Sequence, residues 1–534
     1  MSQGTMTQME SCGLLLLALA GLHGRVIADA SLIYDLAGYQ AGRYGFTPHQ
    51  TYATTDSVSP LWQVTTWNNE ATLSKGYFAS SYPKEWIHQD DSPAGLGSGY
   101  GPALWSAEDL SLVYIHQIYD LVYNTDVQTY KGKDFLTFWA GKYLVPGRGS
   151  GRCYMLNHQY DVAYTVNAIN IPEGADLHEC LVTADGTMLL TILHDVSYDL
   201  TPVGGPPNGT VCESIVQEVD IETGNLVFEW RALDHYSITL SPTQYEPSPS
   251  KLGWDWFHVN SVQKLLNGNF LISSWSLGLL SYVNGSGGIV IWTMGSTVSQ
   301  FTEPLNDGAT NFKAHTIHFI DDDITQLMMF DNYAAEYQTV GVCKGNCSRG
   351  RHLEIDQKAR TAKIMKEYFH PQRLQTFAQG SINILANGNI LVGWGYNPAV
   401  TEQAPDGTIV FDAQLGVLPV GPDHYRIRKV DWKGYPTWGP AIAATGNGTA
   451  KSKVFFSWNG ATEVTDWLLT VSDKPSGPWN TTDDSLKVAR QGFETEIEVG
   501  DSDYYARAAA LDHSGKTLGF THIVEIKSGK LILA

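Results

Sequence analysis

Positive charge is scarce in this 534-residue chain: Lys and Arg number 34 against 55 Asp and Glu, a formal charge of −21. That balance repels phosphate backbones and anionic lipid, so nucleic-acid and membrane-surface binding are excluded as functions. Charge of either sign is sparse, 17% of residues against a globular norm of about 25%, and broad neutral surfaces are expected. Long apolar runs are missing too. The run from Gly13 to Gly24 (GLLLLALAGLHG) is too short to span a bilayer, and no other stretch is long enough. There is no Walker loop, no HExxH and no GxSxG, and GSGYG near Gly97 lacks the strand-then-helix setting that phosphate binding needs. Asp321-Asp322-Asp323 misses the alternating EF-hand spacing and reads as a solvated turn. Neither a metal site nor a cofactor is expected.

What is present is a folded chain. Hydrophobic residues make up 43%, which rules out disorder, and the 52 Gly, 16 Trp and 27 Tyr with short β-branched runs point to an all-β architecture. The length suits three or four units, or one large repeat fold with an appendage. The apolar run before Ala28-Asp29-Ala30 predicts a signal peptide over residues 1–30, cut near Ala30. Its head lacks Lys and Arg and carries Glu10, so a short membrane anchor is the alternative. Of six cysteines, Cys12 leaves with the leader, and Cys343 and Cys347 share the tight loop CKGNC, where a local disulfide is expected. Cys180 and Cys212 are a further candidate pair, leaving Cys153 free, although spacing alone leaves the connectivity open. Glycosylation sequons begin at Asn208, Asn284, Asn346, Asn447 and Asn480. The protein is expected in the secretory pathway, secreted or in a vesicle lumen.

An irregular repeat runs through the chain. LHECLVTADGTMLLTI from Leu177, HVNSVQKLLNGNFLISS from His258 and GSINILANGNILVGWG from Gly380 each alternate apolar and polar residues up to an Asp-Gly or Asn-Gly turn, then enter a second strand. HTIHFIDDDITQLMMFDN from His315 keeps the frame with Asp323 in place of the turn glycine. Most copies are followed by a second hairpin, as in VDIETGNLVFEW and APDGTIVFDAQL. Two hairpins make a four-stranded sheet, and such sheets repeating without intervening helices predict a six-bladed β-propeller over residues 31–435. Tandem β-sandwiches are the alternative. Residues 436–534 change texture. KVFFSWNGATEVTDWLLTVSD and YYARAAALDHSG predict a fibronectin-III-like β-sandwich with Trp458 and Trp467 in its core and Tyr505 near a corner.

In a propeller the residue at one repeat phase of every blade points toward one axis. His178, His258, Asn260 and His315 occupy or adjoin that phase, with Glu179, His318, Asp331, Asn332 and Gln379 close by. A lone histidine is usually a satisfied structural residue, but three at a shared phase predict a common pocket.

These residues carry a resemblance. Through GADLHECLVTADGT, YDLTPVGGP, VDIETGNLVFEWRA, WDWFHVNSV, FDN, ANGNILVGWG and FSWNGATEV, the stretch from about Tyr34 to Gly519 resembles the fungal arylsulfotransferase-like family. The resemblance implies a six-bladed propeller related to enzymes that move sulfate between phenols without a nucleotide donor. It implies a transiently sulfated His315, acid/base partners His178 and His258, and Asn260 as a donor to oxygen. An imidazole is nucleophilic at neutral pH, and fixed donors stabilise the charge that sulfuryl transfer spreads. The pattern breaks at one place. Where family members usually read SSRH, this chain has Ser273-Ser274-Trp275-Ser276, so an indole replaces an always-charged guanidinium. Losing such a donor costs about 3 kcal/mol of transition-state stabilisation, and a greasier pocket suits a neutral aromatic or terpenoid ligand.

A second reading within the same family follows. Some fungal members resemble hetero-Diels-Alder catalysts, which join an o-quinone methide of a tropolone or phenol to a sesquiterpene alkene in meroterpenoid biosynthesis, with no cofactor. This pericyclase reading leads. Here His258, Asn260 and His315 are expected to bind the heterodiene oxygen, His178 to assist loss of water, and Trp275 to stack on the ring. Glu179, Asp331, Asn332 and Gln379 are expected among the substrate-binding residues. Aryl sulfotransfer is the runner-up, and a non-catalytic secreted binding propeller is the third possibility. The expected partners are small aromatic and terpenoid molecules.

Overall fold

The computed structural model describes residues 29–532 apart from 74, 88–95, 146, 247–251, 303–311, 334–339, 346, 420, 446–451, 480–485 and 500–503. The expected leader up to Ala28 and the sequons at Asn346, Asn447 and Asn480 lie outside the described residues. The chain is all-β. Its helical content among the described residues is one five-residue α-helix, Leu36–Gln40, and three short 3-10 turns, and no helix there is long and apolar enough to cross a membrane.

The repeated hairpins form where the turn chemistry places them. Gly186 and Gly268 take φ of 81° in the Asp-Gly and Asn-Gly turns, a left-handed conformation that glycine reaches without a Cβ clash. The flanking residues pair antiparallel, from Cys180↔Leu190 to Val182↔Met188 and from Ser261↔Ser273 to Lys264↔Phe270. Each pair of hairpins builds a four-stranded sheet. In chain order the lead strands of six such sheets are Leu121–Tyr130, Cys180–Val182, Val259–Lys264, Ala314–Phe319, Ser381–Ile384 and Arg428–Val430.

Two of these sheets are completed by segments far apart in sequence. The N-terminal strand Gln63–Trp67 pairs with Ile409–Gln414 as the fifth strand of the sheet led by Ser381–Ile384. Arg428–Val430 pairs with Tyr77–Ile87 and so heads a sheet otherwise made of N-terminal strands.

Adjacent sheets are stitched by side chains. Asn124 Nδ2 donates to the Leu177 carbonyl at 2.7 Å, Ser214 Oγ accepts from the Val259 N–H at 3.2 Å, and Ser261 Oγ donates to the Ile317 carbonyl at 3.3 Å. Thr316 Oγ1 donates to the Gly380 carbonyl at 3.0 Å, Ser381 Oγ to the Ile427 carbonyl at 3.2 Å, and Arg428 pairs with Asp126 at 3.4 Å. Between neighbouring sheets lie apolar cores rich in fully buried tryptophan, including Trp105, Trp139, Trp230, Trp292 and Trp394. Burying large apolar side chains of this kind contributes about 1.5–3 kcal/mol each.

The cysteine pairing differs from the expected one in part. Cys343 and Cys347 are bonded, but the second disulfide joins Cys153 to Cys180, and Cys212 is free and buried. Cys180 stands opposite Leu190, whereas Cys212 stands opposite Asp195, five residues further along the same strand, so the two thiols cannot meet. Cys153 reaches Cys180 because its strand lies against the next sheet, where Gly151 bridges to Ala175. Two disulfides are compatible with an oxidising, secretory environment.

Beyond residue 440 two further sheets enclose a separate core. Ala441–Thr445, Ser452–Ser457 and Glu494–Val499 form one. The other contains Asp466–Ser472 and Tyr505–Leu511. Trp467 is fully buried between them with Phe456, Leu469 and Ala508, and Trp458 packs at the margin. Asn459 ties this unit to the rest by bonding both backbone groups of Ile115, at 3.1 and 2.9 Å.

Candidate active site

The six lead segments line two cavities, one at each end of their run. Tyr123, His178, His258, His315, Gln379 and Tyr425 line the first, and residues one to several positions further along the same segments line the second. The first is the candidate active site, a cavity of about 100 Å³ also lined by Tyr143, Trp275, Phe377 and Tyr396.

Backbone irregularities aim the side chains. His258 and Gln379 hold φ of 55° and 63°, conformations that cost of order 1–3 kcal/mol for residues with a Cβ and persist only where surroundings over-determine them. The pairing registers slip at Asn260 and Thr316, β-bulges that turn the adjoining His258 and His315 relative to the ladder.

The three imidazoles meet. The His178 and His258 rings are 4.7 Å apart in an edge-on arrangement, and His178 and His315 are 6.4 Å apart. Each has a distinct partner at Nδ1. His178 is held by Asp176, His258 by Asp255 at 2.6 Å, and His315 by the Asn332 side-chain oxygen at 2.6 Å. The Asn332 amide nitrogen donates to the carbonyls of Thr376 and Gln379, at 3.2 and 2.9 Å. Its oxygen therefore faces the ring, and His315 carries its proton on Nδ1. Nε2 of His315 then accepts the backbone N–H of Gln379 at 3.2 Å. No described group bonds Nε2 of His178 or of His258.

These environments separate the protonation states. Burial pulls the His258 imidazole toward neutrality, but the Asp255 carboxylate more than offsets it, and the group titrates above its ordinary value. Burial dominates at His178, which titrates below its ordinary value despite Asp176, and at His315, which lies well below. The two neighbouring rings are thus biased in opposite directions, His258 toward holding its proton and His178 toward neutrality, a bias that suits general acid–base transfer.

Trp275 faces the cavity, 5.9 Å from the His258 ring, and Lys313 Nζ sits 4.6 Å from the centre of its indole. Gln379 is also at the wall, its side-chain nitrogen donating to Asp423 at 2.6 Å. Five sequence candidates lie outside the lining. Asn260 gives its amide hydrogen to the Ala314 carbonyl at 3.0 Å and accepts from Ser273 Oγ at 2.7 Å. Glu179 pairs with Arg426 at 2.6 Å on the far side. Asp331 pairs with Arg351 at 3.1 Å within its own sheet. Asn332 acts through His315. His318 lines the second cavity, where burial pushes its titration down to about 4.

Sequence reading did not find Asp176, Asp255, Asp423, Tyr425 or Arg426. A signal for the first two existed, since an aspartate two or three residues before a histidine (DLH and DWFH) is within reach of Nδ1. Arg426 is the guanidinium at the centre of the molecule, bonding Glu179 and the Asn260 carbonyl, the latter at 3.3 Å. The cavity lining contains no Arg or Lys among the described residues. Among the described residues no cluster of three or more His, Cys, Asp or Glu is arranged to hold a metal.

A family model described as arylsulfotransferase (ASST) matches residues 126–416, a little over half of the chain. No curated protein matches the sequence. Similar solved structures include a protein of unknown function from Bacteroides caccae, 11% identical with a TM-score of 0.38, covering 66% of this chain and 98% of its own. An inactive virginiamycin B lyase from Staphylococcus aureus is 8% identical with a TM-score of 0.33, covering 74% and 95%. BamB from Moraxella catarrhalis is 11% identical with a TM-score of 0.27, covering 71% and 96%.

Proposed function

This chain belongs to the arylsulfotransferase (ASST) family, and from that premise we propose that it is an enzyme whose three-histidine cavity performs acid–base chemistry on a neutral phenol- or tropolone-type ring. The reaction we favour is formation of an o-quinone methide and its hetero-Diels-Alder capture by a sesquiterpene alkene. The observation that carries this reading is the pair of Asp–His dyads, 176/178 and 255/258, with rings 4.7 Å apart and titrations displaced in opposite directions.

The steps balance. Imidazolium His258 protonates the departing hydroxyl of an o-hydroxymethyl phenol as its C–O bond breaks, and His178 Nε2 takes the phenolic proton. One water leaves, and the alkene then closes one C–C and one C–O bond across the quinone methide, with no oxidant or cofactor. Holding both partners in a near-attack arrangement supplies the remaining acceleration. A cavity of about 100 Å³ is smaller than the roughly 150 Å³ that holds benzene, so it takes at most one ring and only as its walls give way. The alkene therefore lies outside this space, where the stacked Phe377 and Tyr396 of the lining offer an apolar surface. The carboxylates at Asp255 and Asp423, with no Arg or Lys among the described lining residues, disfavour a sulfate ester.

Aryl sulfotransfer is the second reading. Family membership and a neutral His315 favour it. In it the aryl O–S bond breaks, an N–S bond forms at His315 Nε2, and His258 protonates the phenolate. The Gln379 N–H must first release that nitrogen.

The test offers the protein an o-hydroxymethyl phenol with a humulene-type alkene, and separately 4-nitrophenyl sulfate. The first reading expects stereocontrolled adduct, lost in His178→Gln and His258→Gln; product ratio and chirality equal to the protein-free control overturn it. Sulfotransfer expects nitrophenol release with an acid-labile sulfuryl mark on His315, and intact donor overturns that.

Six sheets of four or five strands, each stitched to the next, support reading residues 31–435 as a six-bladed propeller. The separate core beyond residue 440 supports the appended sandwich. The disulfides support passage through the secretory pathway.

A further inference from the structure

The second cavity, about 480 Å³, opens at the other end of the lead segments, and its lining mixes charged and polar side chains with apolar ones from several sheets. Arg426 separates it from the histidine cavity by bonding Glu179 and the Asn260 carbonyl. Four cations, Lys75, Arg426, Arg428 and Lys429, face it with three carboxylates, Asp126, Glu179 and Asp431, and the buried Glu402 behind Lys429 balances the charge.

Most of these charges are already paired: Arg426 with Glu179, Arg428 with Asp126, and Lys429 with Glu402 at 2.8 Å. What remains is chiefly donors. Arg428 uses Nη1 on Asn383 Oδ1 at 2.6 Å, and its Nε faces Asp126, which leaves Nη2 without a described partner. The bond to Oδ1 fixes the Asn383 amide, whose nitrogen is buried with no hydrogen-bond partner. The ring of His318 and the ammonium of Lys75 line the same space with no described partner. The Asn383 nitrogen is a buried donor left unpaired, at a cost of about 1–3 kcal/mol, and with the half-buried Arg428 and His318 and the exposed Lys75 beside it, groups from three sheets converge on one cavity and point to an acceptor that completes them.

We propose that this second cavity binds a small oxyanion, a carboxylate or a sulfate, held by Arg428, Asn383, His318 and Lys75. An oxyanion supplies several acceptor lone pairs and no donors, which matches the groups left open. A guanidinium and an amide presented side by side suit its planar or tetrahedral edge. The site is distinct from the histidine cavity and independent of the reaction assigned there.

Titration calorimetry of the intact protein at constant ionic strength in chloride tests this, with sodium sulfate in one arm and sodium benzoate in another. Saturable one-site binding of either is expected, and the arm that binds identifies a free inorganic anion or an organic carboxylate as the source. Arg428→Gln combined with Asp126→Asn removes both charges of the half-buried pair together and is expected to weaken binding at least about tenfold. His318→Gln and Lys75→Ser, which disturb no described bond, are expected to weaken it severalfold. His258→Gln in the other cavity is expected to leave it unchanged. No saturable binding of either anion, parental affinity in all three second-cavity variants, or equally tight binding of neutral glucose would overturn the proposal.

Discussion

Replacing Arg426 by methionine tests the centre of the molecule. Its guanidinium is 4% exposed and its partner Glu179 8% exposed, with 2.6 Å between charged atoms, and its second nitrogen holds the Asn260 carbonyl of another sheet. Arg426→Met leaves a buried carboxylate without a counter-charge, and breaking one side of such a pair costs about 3–5 kcal/mol. At about 2–4 °C per kcal/mol, a thermal midpoint lowered by roughly 10 °C is expected. Arg426→Met with Glu179→Met removes both charges and fills the space with apolar atoms, an exchange that is often neutral. The double variant is therefore expected to recover most of the loss, with a coupling of at least about 2 kcal/mol in the cycle. The assay is thermal unfolding at pH 7 followed by circular dichroism. A single variant melting within about 2 °C of the parent, or a double variant as unstable as Arg426→Met alone, would refute the reasoning.

Trp275→Arg is expected to weaken binding of a neutral phenol at least about tenfold, because a second cation is forced beside Lys313 in a buried wall; unchanged affinity by calorimetry argues against a ring-stacking role. Activity should be confined to the pH window in which His258 is protonated and His178 neutral. It falls on the alkaline side as His258, raised by Asp255, loses its proton, and on the acid side as His178 gains one. Asp255→Asn should move the alkaline limb to lower pH in the rate profile. The same raised group contributes stability that is present below the ordinary histidine range and lost as pH rises through its folded value. Peptide mapping under non-reducing conditions should recover Cys153 linked to Cys180. Cys153→Ser with Cys180→Ser should cost roughly 3–4 kcal/mol for a loop of this size, while Cys212→Ser leaves the linkage intact.

The repeat was legible because a strand, a tight Asn-Gly or Asp-Gly turn and a second strand are written in adjacent residues, as in LNGN around Gly268. The same local frame placed His178, His258 and His315 at one phase, and the structure brings their rings within 4.7 to 6.4 Å. Trp275 was found as a departure from a family pattern and does face the cavity. The disulfide was half legible, since Cys343 and Cys347 are four residues apart, whereas Cys153 meets Cys180 only across two sheets.

Sequence alone determined what depends on short range: strand alternation, turn glycines, and the side-chain types carried at each repeat position. Tertiary structure decided what depends on neighbours from other sheets. It spent the Asn260 amide on Ala314 and Ser273, turned Asp331 into an ion pair with Arg351, and assigned Asp255 and Asn332 to different imidazoles, one shifted toward the charged form and one toward the neutral. It also brought Gln63–Trp67 against Ile409–Gln414 and set Arg426 between two cavities. The physical reason is that hydrogen-bond satisfaction and desolvation are properties of a packed environment, and residues hundreds of positions apart supply that environment only once the sheets have come together.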